Sequence, residues 1–180
     1  MTLELSLIQT PVGPMALYAH AERLVALALD GSHGSEQRHE QFLTRHLGEF
    51  TTTRVPDAAG ATTRLKRYFA GELAILDQQP LQILGTEFQQ RCWKKLRGIT
   101  AGHTTSYAGL AAKIGQPTAV RAVAAANGAN ILPLFIPCHR VIAANGAVWG
   151  YGGGLPMKQW LLRHEGAHFT PLTEQESLAL

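Results

Sequence analysis

Cysteine is scarce in this sequence, since its 180 residues include only Cys92 and Cys138. Neither has a second cysteine at the spacing of a zinc-binding pair, so a zinc site is unsupported and we expect neither a metal nor another cofactor. A disulfide between the two cysteines would need an oxidising compartment. The sequence instead favours two free thiols, and each of them needs its own explanation.

Long apolar runs are also missing. The sequence contains no run of about 18 apolar residues, the length that a helix needs to span a bilayer. The N-terminal sequence also lacks the basic and apolar regions of a signal peptide. With 46% hydrophobic and 16% charged residues, the composition is typical of a folded domain rather than a disordered chain. We therefore expect a globular cytoplasmic protein without a membrane partner.

Acidic residues are few in the second half of the chain. Residues 85–180 carry 9 Lys/Arg against 4 Asp/Glu, a net charge of +5, whereas residues 1–84 carry 7 against 9, a net charge of −2. A polyanion is therefore expected to bind the second half. The excess of positive charge is modest and does not identify the partner by itself.

The first half has the pattern of an α+β unit. Two or three short strands are predicted in residues 5–29, because the apolar segments are separated by the turn sequences TPVGP and HAERL. Two helices are predicted after them, one in GSEQRHEQFLTRHL and one in ATTRLKRYFAGEL, which should end near Gly71. The segment DQQPLQILG follows as an extended connector.

The second half is predicted to be mostly helical. In GTEFQQRCWKKLRGI, Thr86 is the expected N-cap and the apolar stripe places Cys92 in the core. Two short helices are predicted next, over about 106–114 and about 118–127, with Gly115 in the turn between them. Helix, tight turn with glycine, and helix form the helix-turn-helix pattern.

The second helix of this pair, in TAVRAVAAANGA, has Arg121 as its one long polar side chain. A recognition helix that reads the major groove usually presents several Arg, Asn, Gln or Lys side chains to base edges. One interpretation is a buried Ala-rich helix with a solvated arginine. The other is a helix that approaches nucleic acid closely in the minor groove, where one arginine enters the base stack.

Cys138 lies in NILPLFIPCHRVIAANGAVWGYGGG, where an apolar run predicted as a buried strand ends at the polar pair His139 and Arg140. A core thiol is one interpretation. The position at the end of the apolar run favours a reactive thiol, whereas His139 alone is ambiguous, because many histidines are hydrogen-bonded structural groups. Adjacent residues of an extended chain point to opposite faces, however, so a direct contact between Cys138 and His139 is hard to form.

These segments together resemble the O6-alkylguanine-DNA alkyltransferases, also called methylated-DNA–protein-cysteine methyltransferases. The segments GTEFQQRCWKKLR, SYAGLAAKIGQPTAVRAVAAANGAN, IPCHRVIAANG, GYGGG and KQWLLRHEG occur in the family's order and spacing, and cover nearly all of residues 85–167. TPVGPMALYA and RLKRYFAGEL also resemble the single-polypeptide bacterial members. The combination of PCHRV with LLRHEG is highly specific.

The resemblance implies an α+β fold with two parts. Residues 1–78 would form a ribonuclease-H-like α/β domain, and residues 79–84 a connector. Residues 85–180 would form a mostly helical domain with a helix-turn-helix, which binds DNA and transfers the alkyl group.

The resemblance also implies a DNA repair protein that moves an alkyl group from O6-alkylguanine in duplex DNA to its own cysteine, irreversibly and once per molecule. It leaves open whether O4-alkylthymine is a second substrate. By resemblance Cys138 is the nucleophile, His139 the general base acting through a water, and Glu165 the carboxylate that orients His139. Asn130 would stabilise this network, and Tyr107 would donate to N3 of the guanine ring.

Double-stranded DNA is the implied partner, bound by a monomer through the minor groove, with the alkylated guanine turned out of the helix. Arg121 would fill the gap in the stack, and Thr118, Ala119 and Ala122 would contact the DNA around it.

The implied guanine pocket uses the segment GAVWGYGGG. Tyr151 would pack against the base, the Gly152 N–H would bond O6, and the Val141 carbonyl would accept from the exocyclic amine, with Lys158 near the site.

The chain departs from the family pattern at three positions. Ile131 stands where many members have proline, Trp149 is bulkier than expected, and Gly152 replaces a hydroxyl residue or alanine. Two other classes stay open from the residues themselves. A DNA-binding regulator would use Cys138 structurally and show base-edge side chains on the second helix. A Cys-His acyl-transfer hydrolase would need its base within about 3 Å of the sulfur.

Overall fold

The N-terminal half is built on a four-stranded sheet. The computed structural model describes residues 1–29 and 35–171. Strands β1 (Thr2–Thr10), β2 (Gly13–His20) and β3 (Arg23–Leu29) lie where the sequence predicted two or three strands. They form an antiparallel meander, and β4 (Thr51–Arg54) pairs in parallel with β1 to give the order β3-β2-β1-β4. Both faces of the sheet are covered, since Leu3 of β1 belongs to the same buried cluster as Leu43, whereas Ile8 points to the opposite face and belongs to the cluster that contains Leu65.

In residues 1–29 and 35–171, six helices cover the sheet and form the second half. They are α1 (Ser35–Leu47), α2 (Ala61–Phe69), α3 (Glu87–Leu96), α4 (Tyr107–Lys113), α5 (Val120–Gly128) and α6 (Leu155–His164). The first five correspond to the helices predicted from the sequence. The sixth was not assigned from its pattern, although Pro156 in its first turn is a recognised start signal.

Helix α3 packs against α5 in the second half. Thr86 and Gln89 form a capping box at its start, as the sequence predicted for Thr86. Cys92 is fully buried on its inner face, and the indole Nε1 of Trp93 donates to the Ala126 carbonyl of α5 at 2.9 Å. Cys92 is therefore a core residue, in agreement with the sequence prediction.

The helix pair α4 and α5 differs slightly from the prediction. Ser106 caps α4 by accepting from the Gly109 N–H at 2.9 Å. The second helix begins at Val120, not near 118, because Thr118 and Ala119 belong to a turn in which the Ala119 N–H donates to the Gln116 carbonyl at 2.9 Å.

The predicted buried strand before Cys138 is wrong. Residues 130–137 are buried turns, and only β6 (Val141–Ile142) is extended, paired in parallel with β5 (Thr105–Ser106). The Asn130 side chain organises the turns, since its Nδ2 donates to the Ile136 carbonyl at 2.8 Å and its Oδ1 accepts from the Leu132 N–H at 2.9 Å. Pro133 and Pro137 have no N–H for a strand ladder, which explains the missing strand.

The connector after α2 is a short 3₁₀ helix over Leu73–Gln78, followed by an extended segment. This segment lies beside β3, because the Leu24 N–H donates to the Pro80 carbonyl at 3.0 Å and the Gln82 N–H donates to the Leu24 carbonyl at 2.9 Å. Among the described residues no helix is both long and apolar enough to cross a membrane.

Candidate active site

Cys138 begins a 3₁₀ turn over Cys138–Arg140, so the extended backbone expected around it is not present. Its side chain is 5% exposed and lines a cavity of about 360 Å³. Tyr107, Asn130, Tyr151 and Gly152 line the same cavity. Four residues that the sequence predicted for the site are thus brought together around the thiol.

His139 and Glu165 form a buried pair behind Cys138. The His139 Nε2 lies 3.0 Å from the Glu165 Oε1, and both side chains are fully inaccessible. Because a carboxylate only accepts, Nε2 carries the proton and Nδ1 is left as the free acceptor of the neutral ring. No partner for Nδ1 is found among the described protein groups. Burial lowers the pKa of His139 and favours this neutral form, although Glu165 acts in the opposite direction.

Glu165, at the C-terminal end of α6, accepts from more than His139. The Arg140 Nε donates to Oε2 at 2.9 Å and its Nη2 to Oε1 at 2.8 Å, while its Nη1 donates to the Ile99 carbonyl. The Tyr68 hydroxyl donates to Oε1 at 2.7 Å. Burial alone would raise the pKa of Glu165, but the hydrogen bonds and charges of His139 and Arg140 hold it well below its usual range.

Sequence reasoning missed both Arg140 and Tyr68. A signal existed for Arg140, because a charged residue inside an apolar run needs a buried partner of opposite charge. No signal existed for Tyr68, which lies 97 residues from Glu165 in the chain.

The thiol of Cys138 is protonated at rest. Burial raises its pKa, while a hydrogen bond with Asn130 and the charge of Lys158 act in the opposite direction. A thiol with a raised pKa must transfer its proton to a base before it can act as a nucleophile.

Lys158 lies behind the segment 149–152 rather than in the cavity. Its Nζ donates to the carbonyls of Val141 and Trp149, each at 2.6 Å, and to that of Gly150 at 3.5 Å. Burial lowers the pKa of Lys158 to about 8. The amine therefore fixes the loop that carries Tyr151 and Gly152, and it occupies one acceptor site of the Val141 carbonyl.

Two tyrosines flank the thiol. Tyr107, the first residue of α4, is half-buried, and burial followed by the nearby Cys138 raises its pKa, so the phenol is a neutral donor. The ring of Tyr151 lies edge-on to that of His139, with 6.3 Å between the centroids. Trp149 precedes Tyr151 on the segment 149–152 and is 64% exposed.

Helix α5 connects the cavity to the surface. Ala124 and Gly128 line the cavity, and the exposed Arg121 precedes Ala124 by about one turn, on the same face of the helix. Thr118 and Ala122 are also exposed beside Arg121, and Ala119 is partly exposed. The predicted DNA-contacting residues thus lie together around the start of α5, with Arg121 as the one long side chain among three small ones.

Comparisons with known proteins agree with this arrangement. A family model described as 6-O-methylguanine DNA methyltransferase, DNA binding domain, matches residues 87–167. A methylated-DNA–protein-cysteine methyltransferase from Shigella flexneri is 42% identical over 161 residues, covering 88% of this chain and 93% of that protein. One from Bacillus subtilis (strain 168), described as constitutive, is 39% identical over 158 residues, covering 87% and 92%.

A solved structure has the same mixed α/β architecture. The Mycobacterium tuberculosis protein OGT, crystallised in complex with DNA, matches with a TM-score of 0.76 and 39% identity, covering 90% of this chain and 92% of that chain.

Proposed function

The chain belongs to the methylated-DNA–protein-cysteine methyltransferases, and we propose that Cys138 is the residue on which this DNA repair protein accepts the alkyl group. One observation carries the assignment. Of the two thiols, Cys138 lines the cavity and adjoins the buried His139–Glu165 pair, whereas Cys92 is fully buried on the inner face of α3. A DNA-binding regulator or an acyl-transfer hydrolase would not account for family membership over nearly the whole chain.

The proton of the thiol leaves first in this mechanism. His139 Nδ1 is the available base, because Nε2 already donates to Glu165. A water molecule carries the proton from Sγ to Nδ1, so the two neighbours need no direct contact. The imidazolium that forms is stabilised by the carboxylate of Glu165, which stays ionised because Arg140 is beside it.

The thiolate then attacks the alkyl carbon bound to O6 of guanine. The new bond joins Sγ to this carbon, and the carbon–oxygen bond breaks with its electron pair going to the guanine. Tyr107 stabilises the charge that develops on the ring by donating to N3. The product on Cys138 is a thioether, which has no carbonyl for water to attack, so each molecule reacts once.

The proposed pocket holds the guanine between Tyr151 and the α5 side of the cavity. The Gly152 N–H donates to O6, and the second acceptor site of the Val141 carbonyl faces the exocyclic amine. Lys158 contributes by fixing the loop through its three carbonyl contacts. Asn130 contributes by holding the turns that precede Cys138.

DNA is proposed to bind along the exposed start of α5. The small residues Thr118, Ala119 and Ala122 allow close approach to the minor groove, and Arg121 replaces the extruded nucleotide in the stack. Helices α4 and α5 would act as the helix-turn-helix, and a single chain supplies all of these groups, in keeping with a monomer. In this proposal residues 1–78 form the ribonuclease-H-like domain, 79–84 the connector and 85–180 the transfer domain.

Mass measurement of the protein after reaction with duplex DNA containing O6-methylguanine tests the proposal. The wild-type protein should gain one methyl group, on the peptide that contains Cys138. Cys138→Ser should gain none and should still bind DNA. Cys92→Ser is the matched control and should gain one methyl group like the wild type. Methylation of a Cys92 peptide, or turnover of many equivalents, would overturn the assignment.

A further inference from the structure

Tyr68 belongs to the N-terminal half and contacts one of the proposed catalytic groups. It lies on α2, and its hydroxyl donates to the Glu165 Oε1 at 2.7 Å in a fully buried contact. The family model for the DNA-binding domain begins at residue 87, after Tyr68. The matched segment 87–167 therefore contains Cys138, His139 and Glu165 but lacks one donor to the carboxylate.

The oxygen that Tyr68 contacts is the one that faces the histidine. Glu165 Oε1 accepts from the His139 Nε2 at 3.0 Å, from the Arg140 Nη2 at 2.8 Å and from Tyr68. Because a carboxylate can rotate about its terminal bond, donors on one oxygen decide which direction its lone pairs point. Tyr68 approaches from a different element than His139 and Arg140, which are neighbours in one turn.

We propose that Tyr68 is a positioning residue for alkyl transfer, whose hydroxyl holds the Glu165 carboxylate in the orientation that fixes the imidazole of His139. This inference rests on the proposed function, since it assigns His139 as the base. With this role for Tyr68, the N-terminal half contributes a residue to the proposed active site and is not only a scaffold.

Contacts of its aromatic ring hold Tyr68 in place independently of its hydroxyl. It packs edge-on against Phe69 and His164, with centroids at 5.2 and 5.1 Å, and its carbonyl is in contact with the His164 Nε2 at 2.9 Å. Packing of the ring therefore does not depend on the hydroxyl, which donates its hydrogen bond to Glu165. Burial raises the pKa of Tyr68 far above its usual value, so the phenol remains a neutral donor throughout the working pH range.

Removing the hydroxyl has a predictable effect on His139. A donor on the carboxylate withdraws negative charge from it, so its loss leaves Glu165 more attractive to the imidazolium and raises the pKa of His139. The acid limb of the rate profile then moves to higher pH. The groups that face His139 in this environment are Glu165, Arg140, Lys158, Cys138, Tyr151 and, through Glu165, Tyr68.

The test is the rate constant for single-turnover transfer from free O6-benzylguanine, measured against pH in the full-length protein. Tyr68→Phe should lower the rate at neutral pH roughly tenfold, about 1.4 kcal/mol of barrier, and move the acid limb upward. Tyr18→Phe, which removes a hydroxyl from a buried tyrosine of β2, is the matched control and should leave rate and profile unchanged. Thermal unfolding of both variants shows whether each is folded.

A coupled variant separates positioning from packing. In a His139→Gln background there is no imidazole to position, so adding Tyr68→Phe should change the remaining rate less than about twofold. An equal fractional loss in both backgrounds, or an unmoved acid limb in Tyr68→Phe, would overturn the role of Tyr68. If His139→Gln alone reacts like the wild type, the base assignment fails as well, and that single variant identifies this outcome.

Discussion

Replacing Arg140 by methionine is expected to destabilise the protein strongly. The substitution keeps much of the side-chain length but removes two hydrogen bonds to Glu165 and one to the Ile99 carbonyl. Glu165 is fully buried and would keep its charge with only Tyr68 and neutral His139 as donors. Removing one partner of a buried ion pair costs about 3–5 kcal/mol. For a chain of this size the midpoint of thermal unfolding should fall by about 6–20 °C.

Urea and thermal unfolding at neutral pH measure this loss. Arg163→Met is the matched control, because Arg163 is an exposed arginine of α6 that donates to the Gln159 side chain at 3.3 Å and lies over the Phe169 ring, 5.7 Å from its centroid. Loss of these exposed contacts should cost less than about 1 kcal/mol. Adding Glu165→Gln to Arg140→Met removes the unpaired charge, so the double variant should be more stable than Arg140→Met alone.

The same variant tests the electrostatics of the base. The Arg140 charge lowers the pKa of His139, so its removal should raise that pKa and slow transfer at neutral pH. A loss of stability below about 1 kcal/mol, or a double variant less stable than the single one, would refute the view that Arg140 balances a charged Glu165.

Three further predictions follow from charged groups. The pKa of Glu165 is held below its usual range in the folded protein, so its contribution to stability is present above about pH 4.3 and is lost as pH falls below that value. The free energy of unfolding of Glu165→Gln should therefore fall less steeply with acid than that of the wild type, and parallel curves would contradict this. The pKa of Lys158 is lowered to about 8, so the unfolded chain binds the extra proton between pH 8 and about 10.4 and stability should rise with pH there. Urea unfolding measured at several pH values in this range should show that the rise in the free energy of unfolding is absent from Lys158→Met. Arg121→Ala should slow repair of duplex DNA while leaving the reaction with free O6-benzylguanine nearly unchanged, and equal rate ratios on both substrates would exclude insertion into the stack.

Local patterns were enough to predict much of the fold. The first three strands follow from apolar segments that are separated by turn sequences, and α3 follows from the capping box at Thr86. Both are decided by neighbours a few residues apart. The stretch before Cys138 was predicted wrongly because an apolar run is equally compatible with a strand and with buried turns. Its course depends on the Asn130 side chain and two prolines, which an apolar pattern does not reveal.

The candidate site was predicted through the family resemblance, which rests on short motifs. Cys138 and His139 are adjacent, and Glu165 is part of the matching segment near the end of the chain. Tyr68 was beyond prediction, because no periodicity relates it to a carboxylate 97 residues away. Lys158 was assigned near the site, but its role behind the loop depends on three carbonyls that become neighbours only after folding.

The short parallel pair of β5 and β6 has a consequence for how the chain can change in length. Thr105 pairs with Val141 and Ser106 with Ile142. This pairing fixes the number of residues between β5 and Tyr107, and between Cys138 and β6. An inserted residue in either place would turn Tyr107 or Cys138 away from the cavity. The exposed tip at Ala144 and Asn145 lies beyond the pairing. We therefore expect an inserted residue to be tolerated at this tip and to be rejected a few residues earlier.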